Sequence, residues 1–321
     1  MIELINPYTK KPLSITPGGL FDEENEFPLI NGVYRMVDQE NYSSNFGYQW
    51  NIFEKTQLDR INQEQSQSEE RFFVETNWPR DGLSEQDILE VGSGAGRFSQ
   101  IIIDQTKANL TTLDYSNAVE ANSRNNGPHP RLRLFQASIY EMPFRPQQFD
   151  KVLCLGVLQH TPDFDESVKS LCEMVKPGGE LVIDFYEKRS WITYVHAKYL
   201  LRPITRRMNH QRLLKLIEKN ANWLISAYKL LYQLRLGILT RFLPICDIYN
   251  TLPKSLKGNR LREWVILDTF DMFSPRYDQP QTIANVKRMV EKTGLKLTFA
   301  GQVKFSNNKA AVVRAVREVD S

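Results

Sequence analysis

The sequence has few cysteines and lacks a long apolar run. Three of its 321 residues are cysteine, at positions 154, 172 and 246, and no two of them form a CxxC pair. This inventory excludes a disulfide framework and a cysteine-based metal site, and it predicts a reducing, cytoplasmic environment. No stretch approaches the ~18 uninterrupted apolar residues of a membrane-spanning helix. The first residues also lack the basic and apolar pattern of a signal peptide.

The net charge is small, but it is unevenly distributed. The whole chain carries +3, which by itself indicates neither nucleic acid nor a membrane as partner. Residues 188–260, however, contain fifteen Lys or Arg and two acids, a local charge of +13, so the remainder carries −10. Apolar residues make up 41% and charged residues 25%, as in ordinary globular proteins. We therefore expect a folded protein of about two domains' length with one strongly basic segment.

Short apolar runs alternate with helical stretches between residues 87 and 186. Such alternation predicts right-handed βαβ crossovers and a parallel sheet covered by helices on both faces. Ligands of these sheets bind at the carboxyl ends of the strands. The predicted strands are 88–91, 110–113, 132–135, 151–155 and 180–185, with helices at 97–106, 117–126 and 165–175 and a turn at 177–179. A further helix is predicted around 54–73, before the first of these strands.

A glycine-rich turn follows the first of these strands. The segment 90–97 reads EVGSGAGR, which is GxGxG rather than the GxGxxG of dinucleotide-binding proteins. Glycines allow close backbone approach to a ligand, and the following helix presents free N–H groups there. Asp114, eighteen residues after Gly96, ends the second strand, where a carboxylate can accept both hydroxyls of a ribose. Asp114 could instead cap the next helix, although Ser116 fits that role better.

Residues 88–186 resemble class I S-adenosylmethionine (SAM)-dependent methyltransferases. The resemblance spans about a hundred residues in the family's order and implies a Rossmann-like α/β fold with a seven-stranded sheet, completed by an antiparallel terminal hairpin around 306–308. It also implies SAM as cofactor. The segments that carry it are 88–98 (ILEVGSGAGRF), 111–116 (TTLDYS), 136–144 (QASIYEMPF), 149–163 (FDKVLCLGVLQHTPD) and 174–185 (MVKPGGELVIDF).

The same resemblance implies which residues hold the cofactor. Ser138 stands where the family often has Asp or Asn, which weakens a contact to adenine. Helices before the first strand close over the cofactor in many members, although Trp50 could equally pack its helix on the sheet. The predicted cofactor residues are Gln49, Trp50, Thr56, Glu90, Gly92, Ser93, Gly94, Gly96, Asp114, Tyr115, Ser138, Ile139, Leu155 and Gly156.

His160 is the candidate catalytic base. It is the one histidine of four that directly follows a strand end. Methyl transfer to oxygen benefits from a base that works near pH 7, and histidine is the usual choice. The alternative is that His160 only orients the loop 160–165.

The basic segment and the residues after it are candidates for the acceptor site. Residues 210–243 read as helix with an apolar stripe, which is either a helical subdomain with a solvated basic face or a site for an anionic, phosphate-linked acceptor or a membrane surface. Asp271, Tyr277 and Asp278 combine acids with an aromatic ring, as sugar-binding sites do, although turn formation around two prolines explains them as well.

The flanking segments resemble a bacterial subgroup of these methyltransferases associated with surface-polysaccharide biosynthesis. The subgroup resemblance rests on 46–59 (FGYQWNIFEKTQLD), 185–191 (FYEKRSW) and 266–282 (ILDTFDMFSPRYDQPQT). Residues 1–45 resemble the zinc ribbon fused to some ribosomal-RNA methyltransferases, but Asn6 and Thr9 stand in place of the metal-binding cysteines, so we expect no metal.

These features predict four segments and one principal function. The segments are a ribbon-like appendage (1–45), a SAM-binding core with flanking helices (46–186), a basic helical insert (187–280) and a terminal helix and hairpin that complete the sheet (281–321). The principal function is O-methylation of a saccharide or related small molecule, in the cytoplasm or at the inner membrane. The alternatives are an RNA methyltransferase, which the basic insert favours although no stable nucleic-acid partner is expected, and a SAM-binding scaffold without turnover. The sequence predicts no oligomeric state.

Overall fold

The computed structural model describes residues 2–37, 41–61, 67–188, 190–306 and 308–319. The strands are β1 (Ser14–Thr16), β2 (Gly19–Phe21), β3 (Glu26–Ile30), β4 (Val33–Arg35), β5 (Asp87–Val91), β6 (Asn109–Asp114), β7 (Leu132–Gln136), β8 (Phe149–Cys154), β9 (Val175–Phe185), β10 (Lys296–Phe305) and β11 (Asn308–Val316). The helices are α1 (Ser44–Ile52), α2 (Gln67–Thr76), α3 (Arg97–Gln105), α4 (Val119–Asn126), α5 (Phe164–Met174), α6 (Ala197–Thr205), α7 (His210–Gln233), α8 (Ile248–Thr251), α9 (Gly258–Phe273) and α10 (Ile283–Glu291).

One mixed sheet organises the fold. Its strand order is β1-β2-β3-β4-β7-β6-β5-β8-β9-β11-β10, in which β7, β6, β5, β8 and β9 run parallel. Strand β11 inserts antiparallel between β9 and β10. The predicted Rossmann-like α/β fold with its terminal antiparallel hairpin is therefore confirmed. The hairpin turn was predicted at 306–308, of which residue 307 lies outside the described residues.

The sheet has more strands than the seven predicted. The additional four come from the N-terminal appendage, whose last strand, β4, pairs in parallel with β7 through Val33 and Leu134. Asn6 stabilises a turn of the appendage, because its Oδ1 accepts the N–H groups of Tyr8 and Thr9 at 2.9 and 3.2 Å. Across the described ranges, no group of three His, Cys, Asp or Glu side chains is arranged to hold a metal ion.

Alternating side chains of the central strand fill both faces of the sheet. Ile88 packs with Phe98 and Ile101 on the α3 face, whereas Leu89 packs with residues such as Val168 on the α5 face. All of these side chains are buried. Two-sided burial explains why β5 reads as a continuous apolar run rather than an alternating one.

The strand order reverses between β5 and β8, and this reversal determines where the sheet can bind a ligand. Successive parallel strands extend from β5 toward β7 on one side and through β8 toward β9 on the other. The loops after β5 and β8 therefore diverge and leave a crevice at the carboxyl ends of the strands, where such sheets bind ligands.

Three local predictions need correction. The helix expected over 210–243 stops at Gln233, because Arg235 adopts a positive φ of 60° and a 3₁₀ helix, Gly237–Phe242, follows. A second predicted helix, 54–73, is replaced by turns up to residue 61; residues 62–66 lie outside the described ranges and α2 begins at Gln67. The turn expected at 177–179 lies inside β9 as a pairing irregularity. Within the described ranges, no helix combines the length and apolar character needed to cross a bilayer.

Candidate functional site

The glycine turn after β5 is shaped by close packing. Gly92 and Gly94 have positive φ values of 80° and 54°, which side chains rarely adopt. A Cβ on Gly92 would lie 2.3 Å from Cγ2 of Val157, and one on Gly94 would lie 3.2 Å from Nε1 of Trp50. Val157 of the loop after β8 and Trp50 of α1 therefore pack directly against the turn, which leaves no room for a side chain at Gly92 and little at Gly94.

Asp114 lies directly beside this turn. Its Oδ2 accepts the backbone N–H of Gly94 at 2.8 Å, and its Oδ1 accepts the N–H and the hydroxyl of Ser116 at 2.8 and 2.7 Å. Burial raises the pKa of the Asp114 carboxyl. The end of β6 and the glycine turn, two features predicted from separate parts of the sequence, thus form one continuous surface.

A cavity of about 700 Å³ opens at this surface. This is within the range of small-molecule sites. Helices α1 and α9, the strand ends and the insert all contribute to its wall. The predicted site residues that line it are Gln49, Trp50, Gly92, Ser93, Gly94, Asp114, Tyr115, Ile139, Leu155, Gly156, His160 and Asp271.

Two predicted cofactor residues lie behind the glycine turn rather than in the cavity wall. The buried Glu90 accepts the hydroxyl of Ser99 at 2.5 Å, and burial raises its pKa to about 8. Gly96 precedes α3 and packs against Asn122, whose Oδ1 would lie 2.2 Å from an added Cβ. These two residues therefore support the turn and the start of α3, and their contact with a cofactor stays a prediction.

Two further predicted cofactor residues are engaged elsewhere. The hydroxyl of Ser138 accepts the N–H of Tyr140 at 3.2 Å, and Ser138 does not line the cavity, although its neighbour Ile139 does. Thr56 donates its hydroxyl to the Glu263 carboxylate of α9 and also lies outside the cavity wall. Of the three residues predicted before the first strand, Gln49 and Trp50 of α1 thus reach the cavity.

His160 reaches the cavity from a 3₁₀ helix, Leu158–His160, that follows β8. Its Nδ1 lies 3.1 Å from the backbone carbonyl oxygen of Tyr277. Since a carbonyl oxygen only accepts, Nδ1 carries the proton and Nε2 of the neutral ring keeps its lone pair. Burial lowers the pKa of His160, while Asp271 and Asp278 act in the opposite direction. The ring is therefore held in a neutral form with a free basic nitrogen.

The three predicted acceptor residues have different positions. Asp271 lines the cavity and accepts from Nε2 of Gln49 at 3.4 Å and from the hydroxyl of Tyr186 at 3.3 Å. Tyr277 and Asp278 do not line it. Tyr277 contributes its backbone carbonyl to His160, and Asp278 forms an ion pair of 2.9 Å with Lys198, which does line the cavity. These two residues therefore support His160 and Lys198, and their direct contact with an acceptor stays a prediction.

A network of charged residues in the cavity wall was not predicted from the sequence. Arg71 of α2 contacts Asp184 at 2.6 Å and Glu75 at 2.8 Å, and Asp184 also accepts the N–H of Gly156. Burial beside Asp271 raises the pKa of Asp268, another lining residue, to about 7. Asp184 lies at the end of β9, so the rule that strand ends carry the site could have identified it. No comparable signal marks Arg71.

Several buried polar atoms of the cavity wall have no hydrogen-bond partner among the described residues. They are the Ser93 hydroxyl, Oε1 of Gln49 and both amide atoms of Gln159, which directly precedes His160. Buried polar groups are almost always hydrogen-bonded. These groups are available to hydrogen-bond a polar ligand in the cavity.

The comparisons with known proteins agree with this architecture. Residues 89–183 match the family model described as a methyltransferase domain. The chain is also similar to two curated proteins. One is a ubiquinone biosynthesis O-methyltransferase of Pseudomonas fluorescens, 29% identical over 41% of this chain and 60% of that protein. The other is a ubiquinone/menaquinone biosynthesis C-methyltransferase of Vibrio parahaemolyticus, 31% identical over 37% of this chain and 47% of that protein.

The chain is also similar to a solved structure at low sequence identity. Magnesium protoporphyrin IX methyltransferase of Synechocystis PCC 6803 with bound SAH is 13% identical, with a TM-score of 0.45 over 86% of this chain and 97% of that one. The chain spans about half to three fifths of the length of the curated relatives described above. The domain match confirms the predicted class I methyltransferase fold and the resemblance to SAM-dependent methyltransferases at the level of the domain.

Proposed function

We propose that the chain is a SAM-dependent methyltransferase that transfers the methyl group to an oxygen of a saccharide or related small molecule. The observation that carries this proposal is the shared cavity: the glycine turn with Asp114 forms one part of its wall, and His160 with a free Nε2 forms another. The methyltransferase-domain match over residues 89–183 supports the reaction class and the cofactor.

The residues of the cavity fit SAM. Gly92 and Gly94 line the cavity without a side chain that would keep a nucleoside from their backbone, and the Asp114 carboxylate beside them suits ribose hydroxyls. The unpartnered groups of Ser93 and Gln159 offer further hydrogen bonds. The aromatic ring of Trp50 and the carboxylate of Asp271 suit the positive charge of a sulfonium.

Bound SAM supplies a methyl group on a positively charged sulfur, which leaves as a neutral thioether when the methyl is transferred in line. The protein's part is to hold donor and acceptor, exclude water and remove one proton. We assign the proton to Nε2 of His160, because Nδ1 is committed to the Tyr277 carbonyl. The acceptor O–H bond breaks as the new O–CH₃ bond forms, and His160 becomes a cation that Asp271 and Asp278 favour.

The acceptor side of the cavity combines acids, an amine and an aromatic hydroxyl. Asp271 and the Tyr186 hydroxyl suit the O–H groups of a sugar, and Lys198 suits an anionic substituent such as phosphate. The resemblance of the flanking segments to methyltransferases of surface-polysaccharide biosynthesis supports a glycan acceptor. In the same framework, the N-terminal appendage is a metal-free ribbon relic that serves as a docking or lid element, and the protein works in the cytoplasm or at the inner membrane.

A second candidate function is RNA methylation. The +13 charge of residues 188–260 supports it, as does similarity to a tRNA U34 carboxymethyltransferase of Nautilia profundicola, 29% identical over 35% of this chain and 41% of that protein. The Pseudomonas relative is by name an O-methyltransferase, which supports oxygen as the acceptor atom in the leading proposal. Binding to RNA with a steep salt dependence would favour the second candidate.

Methyl-labelled SAM distinguishes these functions. The full chain is incubated with labelled SAM and separate glycan, metabolite and RNA fractions, with the variant His160→Asn as the matched control. The leading proposal predicts label in a glycan or metabolite fraction that depends on His160. Label in RNA alone would favour the second candidate. SAM binding without transfer to any fraction would favour a scaffold without turnover.

A further inference from the structure

One segment of the insert has two chemically different faces. Residues 190–205 comprise a 3₁₀ helix, Trp191–Tyr194, followed by α6. Thr193, His196, Lys198 and Tyr199 of this segment line the cavity. On its other side, the side chains of Trp191, Leu200 and Ile204 are 73%, 65% and 67% exposed. The cavity wall therefore has an outer face that is strongly apolar.

A second element extends this outer face. Nη2 of Arg241 donates to the backbone carbonyl of Ile192 at 2.8 Å, which holds the 3₁₀ helix Gly237–Phe242 against the start of the segment. Ile238 is 75% exposed, and Phe242 is also exposed. We call Trp191, Ile192, Leu200, Ile204, Ile238 and Phe242 the outer patch. Isolated exposed apolar residues are common, but a concentration in two linked elements marks a binding surface.

The segment that carries most of the outer patch is basic. The sequence contains no acidic residue between Lys188 and Ile217. Arg206 and Arg207 follow α6 directly and are exposed, and Nζ of Lys188 lies 5.2 Å from the ring centroid of Tyr194. Exposed tryptophan and aliphatic side chains bordered by cations are complementary to the interface of a bilayer that contains anionic lipids.

We propose that the outer patch docks on the surface of an anionic lipid bilayer and brings this wall of the cavity close to it. Trp191 and its apolar neighbours enter the interfacial region, while Arg206, Arg207 and Lys188 contact lipid phosphates. Because the same segment forms the cavity wall, docking brings the acceptor site to the membrane. If the chain is the methyltransferase proposed above, its acceptor is then a glycan or small molecule carried on a lipid.

Vesicle sedimentation tests the docking without any turnover. The full chain is mixed with vesicles of phosphatidylcholine alone or with about 30% phosphatidylglycerol. We expect binding to the anionic vesicles only, and we expect added salt to weaken it. The double variant Trp191→Ser/Ile204→Ser should bind at least about tenfold more weakly. Its matched control is Ile15→Ser, which removes an exposed isoleucine of β1 and should bind like the unmodified chain.

A second pair of variants tests the charge. Arg206→Glu/Arg207→Glu should lose binding to anionic vesicles, whereas Lys304→Glu, an exposed lysine of β10, should keep it. Calorimetric titration with SAM shows whether each variant is folded and keeps docking separate from the proposed function. Equal binding to neutral vesicles, or unchanged binding by both double variants, would overturn the proposal. So would sedimentation equilibrium showing that the outer patch instead joins two copies of the chain.

Discussion

Nδ1 of His160 lies 3.1 Å from the backbone carbonyl oxygen of Tyr277, so a residue 117 positions away sets the tautomer of the candidate base. The contact leaves Nε2 as the basic nitrogen and links the loop after β8 to the segment after α9.

His160→Asn should abolish the base while keeping the orienting hydrogen bond, because the asparagine amide can donate to the same carbonyl. We expect methyl transfer to fall about 10²–10⁴-fold. The affinity for SAM, measured by calorimetry, should stay within about twofold, since His160 contributes to transfer rather than to cofactor binding. A variant that retains full transfer would contradict the assigned role.

The pH dependence of transfer should follow the lowered pKa of His160. Because burial disfavours the cation, Nε2 remains unprotonated below the ordinary histidine pKa of 6.5. The transfer rate should therefore stay level from neutral pH to about pH 6.5 and decline only at lower pH. A decline that already begins above pH 7 would show that another group limits the reaction.

Tyr277→Phe should have little effect on methyl transfer and Asp271→Asn a large one, although both residues were predicted from the same stretch of sequence. Tyr277 acts through its backbone, so the loss of its hydroxyl should leave transfer within about threefold of the original rate. Asp271 faces the cavity, and its neutralisation should raise the acceptor KM about tenfold, as expected for one charged hydrogen bond. Equal effects of the two substitutions would argue against the assigned positions.

Gly92→Ala should weaken both stability and SAM binding. An added Cβ would lie 2.3 Å from Val157, and the φ of 80° is unfavourable for alanine. Gly294→Ala is the matched control: its φ is 83°, but no atom lies within 4 Å of the added Cβ. We expect both variants to unfold at lower denaturant concentration and the Gly92 variant alone to lose affinity for SAM. Val157→Ala in the Gly92 variant should restore part of that affinity.

The buried carboxyl of Glu90 should make the protein less stable as the pH rises. In the unfolded chain Glu90 ionises near 4.5, whereas in the folded protein its pKa is raised to about 8. Between these values the unfolded state has released a proton that the folded state retains, so the free energy of unfolding falls across this window.

Glu90→Gln should reduce this decrease in the free energy of unfolding. The expected reduction is on the order of a few kcal/mol, because one pKa unit corresponds to about 1.4 kcal/mol. Urea denaturation at pH 5 and pH 8 measures the difference in the free energy of unfolding between these two pH values. Glu141→Gln, at an exposed position, serves as the control and should leave the difference unchanged. An identical pH dependence in the Glu90 variant and the unmodified chain would contradict the buried, protonated state.

The sequence predicted the parts of the site that local patterns encode. The glycine turn and Asp114 follow strands whose apolar runs are evident, and the parallel topology brings their ends together. Thr56 and Tyr277 were placed less well, because Thr56 contacts Glu263 of α9 and the Tyr277 ring packs against Tyr42, and no local pattern records these contacts. Arg71 was missed for the same reason, because its partner in the cavity wall, Asp184, lies 113 residues away.

Calorimetric titration of the full chain with SAM and with its demethylated product is the decisive measurement for the proposed cofactor site. We expect saturable binding at one site per chain, weakened about tenfold or more by Asp114→Ala because a charged hydrogen-bond acceptor beside Gly94 is lost. Absence of binding by either ligand, or binding that Asp114→Ala leaves unchanged, would contradict it.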